Sequence, residues 1–207
     1  RADQPALIYV STETNTERTY TFAQLHTEVQ RMTAVLRQQG VTQGDRVLIY
    51  MPMVPEAVFA MLACARMGAI HSVVFGGFAS VSLASRIDDC TPHVIVSADA
   101  GSRAGKVVPY KPLLDEAIAL ASHKPKRVIL TDRGLAPMQW VEGRDLLYTE
   151  ALQGLPSELN EPVTWLEATD PSYILYTSGT TGKPKGVQRD TGGYAVALAT
   201  SMETIFM

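Results

Sequence analysis

Two cysteines and four histidines among 207 residues leave little material for a metal centre or a disulfide framework. Cys64 lies in an apolar helical stretch and Cys90 near the end of another, and no C-x-x-C is present. His26, His71, His93 and His123 show no zinc or triad spacing, so no metal site is expected and no histidine is given a catalytic role. An excess of one charge is lacking as well: 18 Lys and Arg stand against 21 Asp and Glu, for a net charge of −3. Nucleic acids and anionic membranes favour proteins with a basic excess, so neither is expected as a partner. No apolar run reaches the roughly 20 residues needed to cross a bilayer. Nor does a charged start with an apolar core and a cleavage site open the chain. The expected location is cytoplasmic, and since the chain opens on Arg1 rather than Met, its true start is expected to lie upstream. Trp140 and Trp165, in irregular segments, are expected to be packing anchors, and Asp88 and Asp89 a solvated helix end.

What is present is enough apolar material for a sizeable core, 46% of the residues, arranged in alternating strand-like and helix-like segments. Ala6 to Val10 and Arg18 to Thr21 read as short strands. A helix capped near Thr21 follows, with Phe22, Leu25, Val29, Met32, Val35 and Leu36 as its apolar stripe and Gly40 as its end. Further strands are expected at Arg46 to Met51, Ala69 to Phe75, Val94 to Ala98 and Arg127 to Thr131. The intervening helices are Pro55 to Met67, stopped by Gly68, then Ser80 to Asp89 and Pro112 to Ala121. This alternation predicts an α/β fold with a mainly parallel sheet flanked by helices. Residues 132–170, punctuated by Pro137, Gly143, Gly154, Pro156 and Pro162, look like a crossing segment between a first α/β subdomain, 1–170, and the start of a second, 171–207. Thr191 to Met207 has helical spacing and stops inside the helix, so a fragment of a longer enzyme is expected.

The segment with the strongest chemical content is Tyr176-Thr-Ser-Gly-Thr-Thr-Gly-Lys-Pro-Lys-Gly186, directly behind the strand-like Tyr173-Ile-Leu-Tyr176. Large apolar side chains vanish until Val187, so this loop is not built for packing. Gly179, Gly182 and Gly186 let the backbone approach a ligand closely, and Thr177, Ser178, Thr180 and Thr181 add hydroxyl donors. Lys183 and Lys185 bracket Pro184 and can meet phosphate charge. The run is not a Walker loop, because Pro184 follows its lysine where Ser or Thr is needed, and no G-x-G-x-x-G opens a helix elsewhere. Two loops expected beyond strand ends are further candidates, since ligands gather there in α/β sheets. One is Gly76-Gly77-Phe78. The other is Asp99 to Lys106, a glycine-hinged loop on which Arg103 and Lys106 could hold a phosphate monoester.

YTSGTTGKPKG resembles the phosphate-loop signature of the adenylate-forming superfamily, and the stretches HSVVFGGFASVSLASRID and SADAGSRAGKVVPYK resemble those of short-chain acyl-CoA synthetases. The resemblance implies an acid-thiol ligase. ATP with Mg2+ would activate a short-chain carboxylate as the acyl adenylate, and coenzyme A would receive the acyl group. Carried over, Thr177, Ser178, Gly179, Thr180, Thr181, Gly182 and Lys183 hold the ATP phosphates, with Lys183 and Lys185 in the catalytic role. Gly76, Gly77, Arg103, Ala104, Gly105 and Lys106 contact coenzyme A, with Arg103 and Lys106 at its 3′-phosphate. Acetate-activating members often carry Arg where this chain has Lys106, which keeps the charge and loses planar bidentate geometry. GVQRDTGGYAVALATSM resembles propionate-activating members, whereas acetate-activating ones more often resemble LHTTGGY there. Propionate is the expected substrate, with acetate as the alternative. A non-catalytic nucleotide- or CoA-binding or interaction module is the alternative from another class.

Overall fold

In a computed structural model of the protein, the described residues are 1–177 and 184–206. The chain forms β1 (Pro5–Ser11), β2 (Thr16–Thr21), α1 (Phe22–Gln38), β3 (Arg46–Met51), α2 (Pro55–Met67), β4 (Ile70–Phe75), α3 (Ser80–Cys90) and β5 (Val94–Ala98). Next come β6 (Ala100–Arg103), β7 (Lys106–Pro109), α4 (Tyr110–Leu120), β8 (Arg127–Thr131), β9 (Asp145–Leu147) and α5 (Tyr148–Gln153). The last elements are β10 (Pro171–Thr177), β11 (Lys185–Asp190) and α6 (Thr191–Ile205).

Local chemistry sets the helix ends. The Thr21 hydroxyl accepts from the Gln24 N–H (3.2 Å) and the Gln24 side chain accepts from the Thr21 N–H (2.9 Å), a reciprocal cap that starts α1. Pro55 opens α2, where its missing N–H costs nothing, and Gly68 closes it in the left-handed region at φ 74°.

Seven strands make the central sheet in the order β11-β10-β4-β3-β5-β8-β9, parallel throughout except for the antiparallel β10–β11 pair at one edge. Side chains alternate between its two faces. Val47 and Ile49 face α1, α2 and α5 with Met32, Leu36, Phe59 and Tyr148, whereas Leu48 and Tyr50 face α3 and α4 with Leu83, Ile87 and Leu114. The middle strands are buried on both faces, which is why their sequences are continuous apolar runs, and the expected α/β class holds.

Three segments differ from the sequence reading. Asp99 to Lys106 is mostly a β-hairpin rather than an irregular loop, with β6 and β7 forming a separate two-stranded sheet. Its two-residue turn places both Ala104 (φ 51°) and Gly105 (φ 77°) in the left-handed region that the twist of short hairpins demands. The irregular stretch 132–170 contains β9 and α5, too short to show periodicity. They are fixed by long-range pairing with β8 and by a buried ion cluster in which Lys111 Nζ donates to Asp115 (2.6 Å) and the Gln139 carbonyl (2.7 Å) and meets Asp145 at 2.9 Å. Arg144 completes the cluster against Asp145 (2.7 Å) and Asp115 (2.5 Å). Trp165 is 90% exposed and Trp140 41%, so neither is the expected packing anchor. Trp165 faces outward while its neighbours Thr164 and Leu166 approach Gly68.

The expected division between 1–170 and 171–207 falls where β10 begins. That strand joins β4 through Tyr173 opposite His71 and Ile174 opposite Ser72.

Candidate functional site

A cleft of about 540 Å³ opens beyond the carboxyl ends of β3 and β4. Met51 and Pro52 follow one strand into it, and Phe75, Gly76 and Gly77 follow the other. The β1–β2 hairpin supplies one wall through Tyr9 and Glu13, and the β6–β7 hairpin supplies another through Ser102 and Arg103. Parallel strands feeding a crevice at their carboxyl ends is the arrangement in which α/β sheets bind ligands. Two separate sequence candidates, the Gly76-Gly77 turn and Arg103, therefore line one cavity although 26 or more residues separate them along the chain.

The glycine at position 76 has a reason inside the fold. A Cβ there would stand 2.2 Å from the Tyr110 hydroxyl oxygen, and one at Gly101 would stand 2.5 Å from the same atom. Tyr110 is buried against Tyr50, with ring centroids 5.0 Å apart. Its phenol is pushed up from its ordinary pKa by burial first and then by the Glu13 carboxylate, with Arg133 opposing, so it lines the cleft as a neutral hydroxyl. The glycines thus admit a tyrosine ring between the turn and the hairpin, and leave backbone at the cleft wall.

Arg103 and Lys106 are exposed and stand directly opposite each other in the β6–β7 register, flanking Ala104 and Gly105. Directly opposed residues project to the same face of a hairpin, where like charges repel. An anion between them would turn that repulsion into attraction, as a phosphate monoester does with paired cations. The hairpin is tied down at its first strand by Glu13, which accepts from the Ser102 N–H at 2.9 Å and from Arg133 Nη2 at 2.5 Å. Arg133 Nη1 in turn donates to the Ala100 carbonyl at 2.9 Å. Asp99, fully buried, accepts from the Leu135 and Ala136 N–H groups at 2.7 and 3.2 Å and sets where the hairpin departs from β5.

The second candidate region lies at the end of β10. Thr177 pairs with Lys185 across the antiparallel β10–β11 ladder, so the two strand ends bracketing residues 178–184 face each other. Ser178, Gly179, Thr180, Thr181, Gly182 and Lys183 lie outside the described residues. Tyr176 donates its hydroxyl to Asp89 at 2.7 Å, and burial first, then this hydrogen bond, push its phenol well up. Arg86, only 5% exposed, stacks its guanidinium over Phe78 (4.3 Å) and Tyr176 (5.2 Å) and donates to the Ser82 carbonyl at 2.6 Å. The GGF turn and the end of strand β10 are thereby joined through one buried cation. Asp88 and Asp89 are the expected solvated helix end, both exposed in the last turn of α3, and each also makes one contact: Asp88 accepts from the His123 N–H at 2.8 Å and Asp89 from the Tyr176 hydroxyl at 2.7 Å.

Sequence reasoning missed Glu13, Arg133, Tyr110 and Arg86. Glu13 sits in a polar turn and Arg133 in a proline- and glycine-punctuated stretch, and nothing in their spacing shows that they meet. Arg86 carried a weak signal, a charged residue on the apolar side of a helical pattern between Leu83 and Ile87. Among the described residues, no group of three or more His, Cys, Asp or Glu side chains is placed to hold a metal ion. No helix among them is long and apolar enough to cross a membrane.

Comparison with known proteins gives these features a context. The propionate–CoA ligase of Salmonella typhimurium strain LT2 is 66% identical over 202 residues, covering 97% of this chain and 32% of that protein. That of Escherichia coli strain K12 is 64% identical over 201 residues, again covering 97% and 32%. Among solved structures, an acetoacetyl-CoA synthetase from Streptomyces lividans superposes with a TM-score of 0.85 at 30% identity, over 98% of this chain and 30% of that one. The chain spans about a third of the length of the curated relatives it matches. The AMP-binding enzyme family matches residues 1–206, nearly every position, and the strand-end cleft and the loop-bearing hairpin both fall inside that match, so the chain belongs to the AMP-binding enzyme family.

Proposed function

We propose that the chain is the amino-terminal portion of an AMP-forming propionate–CoA ligase. The observation that carries this reading is the convergence of the Gly76-Gly77 turn and the Arg103-bearing hairpin on one cleft at the carboxyl ends of parallel strands. The 66% identity to a propionate–CoA ligase supports the substrate. In this reading 1–170 is a first α/β subdomain that offers the coenzyme A surface, and 171–207 begins a second that carries the nucleotide loop. The protein acts in the cytoplasm.

In the first half-reaction a propionate carboxylate oxygen bonds to the α-phosphorus of ATP and pyrophosphate leaves. In the second, the CoA thiol takes the acyl group and AMP leaves with the bonding pair. Magnesium carried by the nucleotide supplies charge neutralisation. Residues 177–183 position the β- and γ-phosphates, and Lys183 and Lys185 balance the charge that grows on the departing pyrophosphate. This is work of orientation and electrostatics rather than covalent catalysis. Gly76, Gly77, Ala104 and Gly105 give the coenzyme close access to backbone, and Arg103 and Lys106 meet its 3′-phosphate.

The test uses the full-length protein carrying this chain. Pyrophosphate exchange is measured with propionate, acetate and butyrate, and propionate is expected to give the highest kcat/KM. Preference for acetate overturns the substrate. Calorimetry with ATP and with coenzyme A is expected to show binding of both, and binding of neither overturns the enzyme reading in favour of an interaction module.

A further inference from the structure

We propose that Glu13, at the tip of the β1–β2 hairpin, is a positioning residue that presents Arg103 to the phosphate of the thiol substrate. This rests on the reading of the cleft as a coenzyme A site.

The β6–β7 hairpin is a two-stranded sheet of its own, outside the seven-stranded one, and its turn is exposed. A lone two-stranded hairpin is marginally stable in water. With nothing gripping it, Arg103 would sample many positions, and each binding event would have to order both the strand and the side chain. Glu13 supplies the grip from 89 residues away. One carboxylate oxygen accepts from the backbone N–H of Ser102, the residue directly before Arg103, at 2.9 Å. The other accepts from Arg133 at 2.5 Å, and Arg133 donates onward to the carbonyl of Ala100, two residues further back on the same strand. The strand is therefore held at residues 100 and 102 by a single ion pair.

Charge explains why the clamp is a pair. Glu13 lines the cleft, where a bare carboxylate would repel a phosphate. Arg133, whose side chain is only 7% exposed, neutralises it and reaches the Glu13 carboxylate, 23% exposed, from the protein side. The cleft keeps the positive charge of Arg103 undiminished. A neutral glutamine could still accept from Ser102, while losing the ionic contact that fixes the side chain against Arg133.

The experiment compares wild type, Glu13→Gln and Arg103→Ala in the full-length protein, with KM and kcat measured for coenzyme A and for 3′-dephospho-CoA. Glu13→Gln is expected to raise KM for coenzyme A about 3- to 10-fold, the size expected for the net loss of one ordinary hydrogen bond. With kcat held, the increase should vanish with 3′-dephospho-CoA. A purely structural residue would change KM for both thiols alike or depress kcat, and either result overturns the proposal. If Arg103→Ala raises KM for coenzyme A selectively and Glu13→Gln does not, positioning fails and the site stands. If Arg103→Ala leaves the preference for coenzyme A over 3′-dephospho-CoA untouched, the coenzyme A site itself falls, and this inference with it.

Discussion

Helices α2 and α6 are similarly rich in apolar residues, PEAVFAMLACARM against TGGYAVALATSMETI, yet seven side chains of α2 are buried and none of α6 is. The difference lies in what each helix meets. α2 follows the central strand β3 and packs against both α1 and the sheet, so Phe59, Ala60, Ala63 and Cys64 enter a closed core. α6 rests along β11, the outermost strand, where Tyr194 packs on Tyr173 at 4.6 Å while Val196 and Ile205 remain about 70% exposed. Apolar composition sets how much free energy burial can release, about 1.5–3 kcal/mol for a large aliphatic side chain, and only a facing surface releases it. The sheet centre, with Val47 to Tyr50 at 0% exposure, is closed on both faces in this chain, and the β10–β11–α6 edge carries the loop that we propose grips phosphate.

The comparison can be broken most directly with two lysines. Lys111, fully buried on α4 between Asp115 and Asp145, belongs to a closed interface, and Lys185, exposed at the start of β11, belongs to the open edge. Lys111→Ala is expected to cost about 3–5 kcal/mol in urea unfolding, since it removes a buried partner and leaves Arg144 alone to balance Asp115 and Asp145. Lys185→Ala should change stability by less than about 0.5 kcal/mol. Equal losses would erase the distinction between the closed interface and the open edge.

A smaller effect tests the seam between the sheet centre and that edge. His71 of β4 stacks on Tyr173 of β10 at 5.6 Å between centroids, and burial pushes its imidazole down to about 4. The folded protein therefore binds this proton less readily than the unfolded chain, whose imidazole titrates near 6.5. Stability should be full above about 6.5 and fall as pH drops towards about 4. Unfolding followed across that range should show the slope in the native protein and lose it in His71→Phe. A slope that persists in the variant would place the acid sensitivity elsewhere.

The smallest expected effect lies at the hairpin tip. Ala104 holds φ 51°, a conformation that a methyl-bearing residue adopts at a cost and asparagine tolerates better. Ala104→Asn is expected to raise stability by less than about 1 kcal/mol, read as a shift in urea midpoint. A loss of stability would mean that the turn relaxes into another geometry.

Much of the frame was legible because its signals are local. Thr21 with Gln24, Pro55 with Gly68, and the apolar runs of β3, β5 and β8 each announce a cap, a stop or a buried strand within a few residues. The hairpin β6–β7 was read as a loop because Gly101, Gly105 and the polar tip mask a four-residue strand pairing. Strand β9 escaped notice because three residues carry no periodicity, and its place comes from Asp145 meeting Lys111 and Arg144. Burial raises the Asp145 carboxyl, but the hydrogen bonds from Arg144, Lys111 and the Val141 N–H outweigh it and hold the group below the usual carboxylate range.

The amino-acid sequence by itself determined the α/β alternation, the helix ends and the candidate glycines and cations, because caps, periodicity and turn chemistry act between near neighbours. Only the tertiary structure decided that Gly76, Gly77 and Arg103 share a cleft, that Tyr110 is the reason Gly76 and Gly101 must lack a Cβ, and that Glu13 reaches across 89 residues to hold the strand bearing Arg103. Such meetings depend on which strands pair and which faces close. Those choices minimise exposed apolar area and unpaired charge over the whole chain rather than within any one segment.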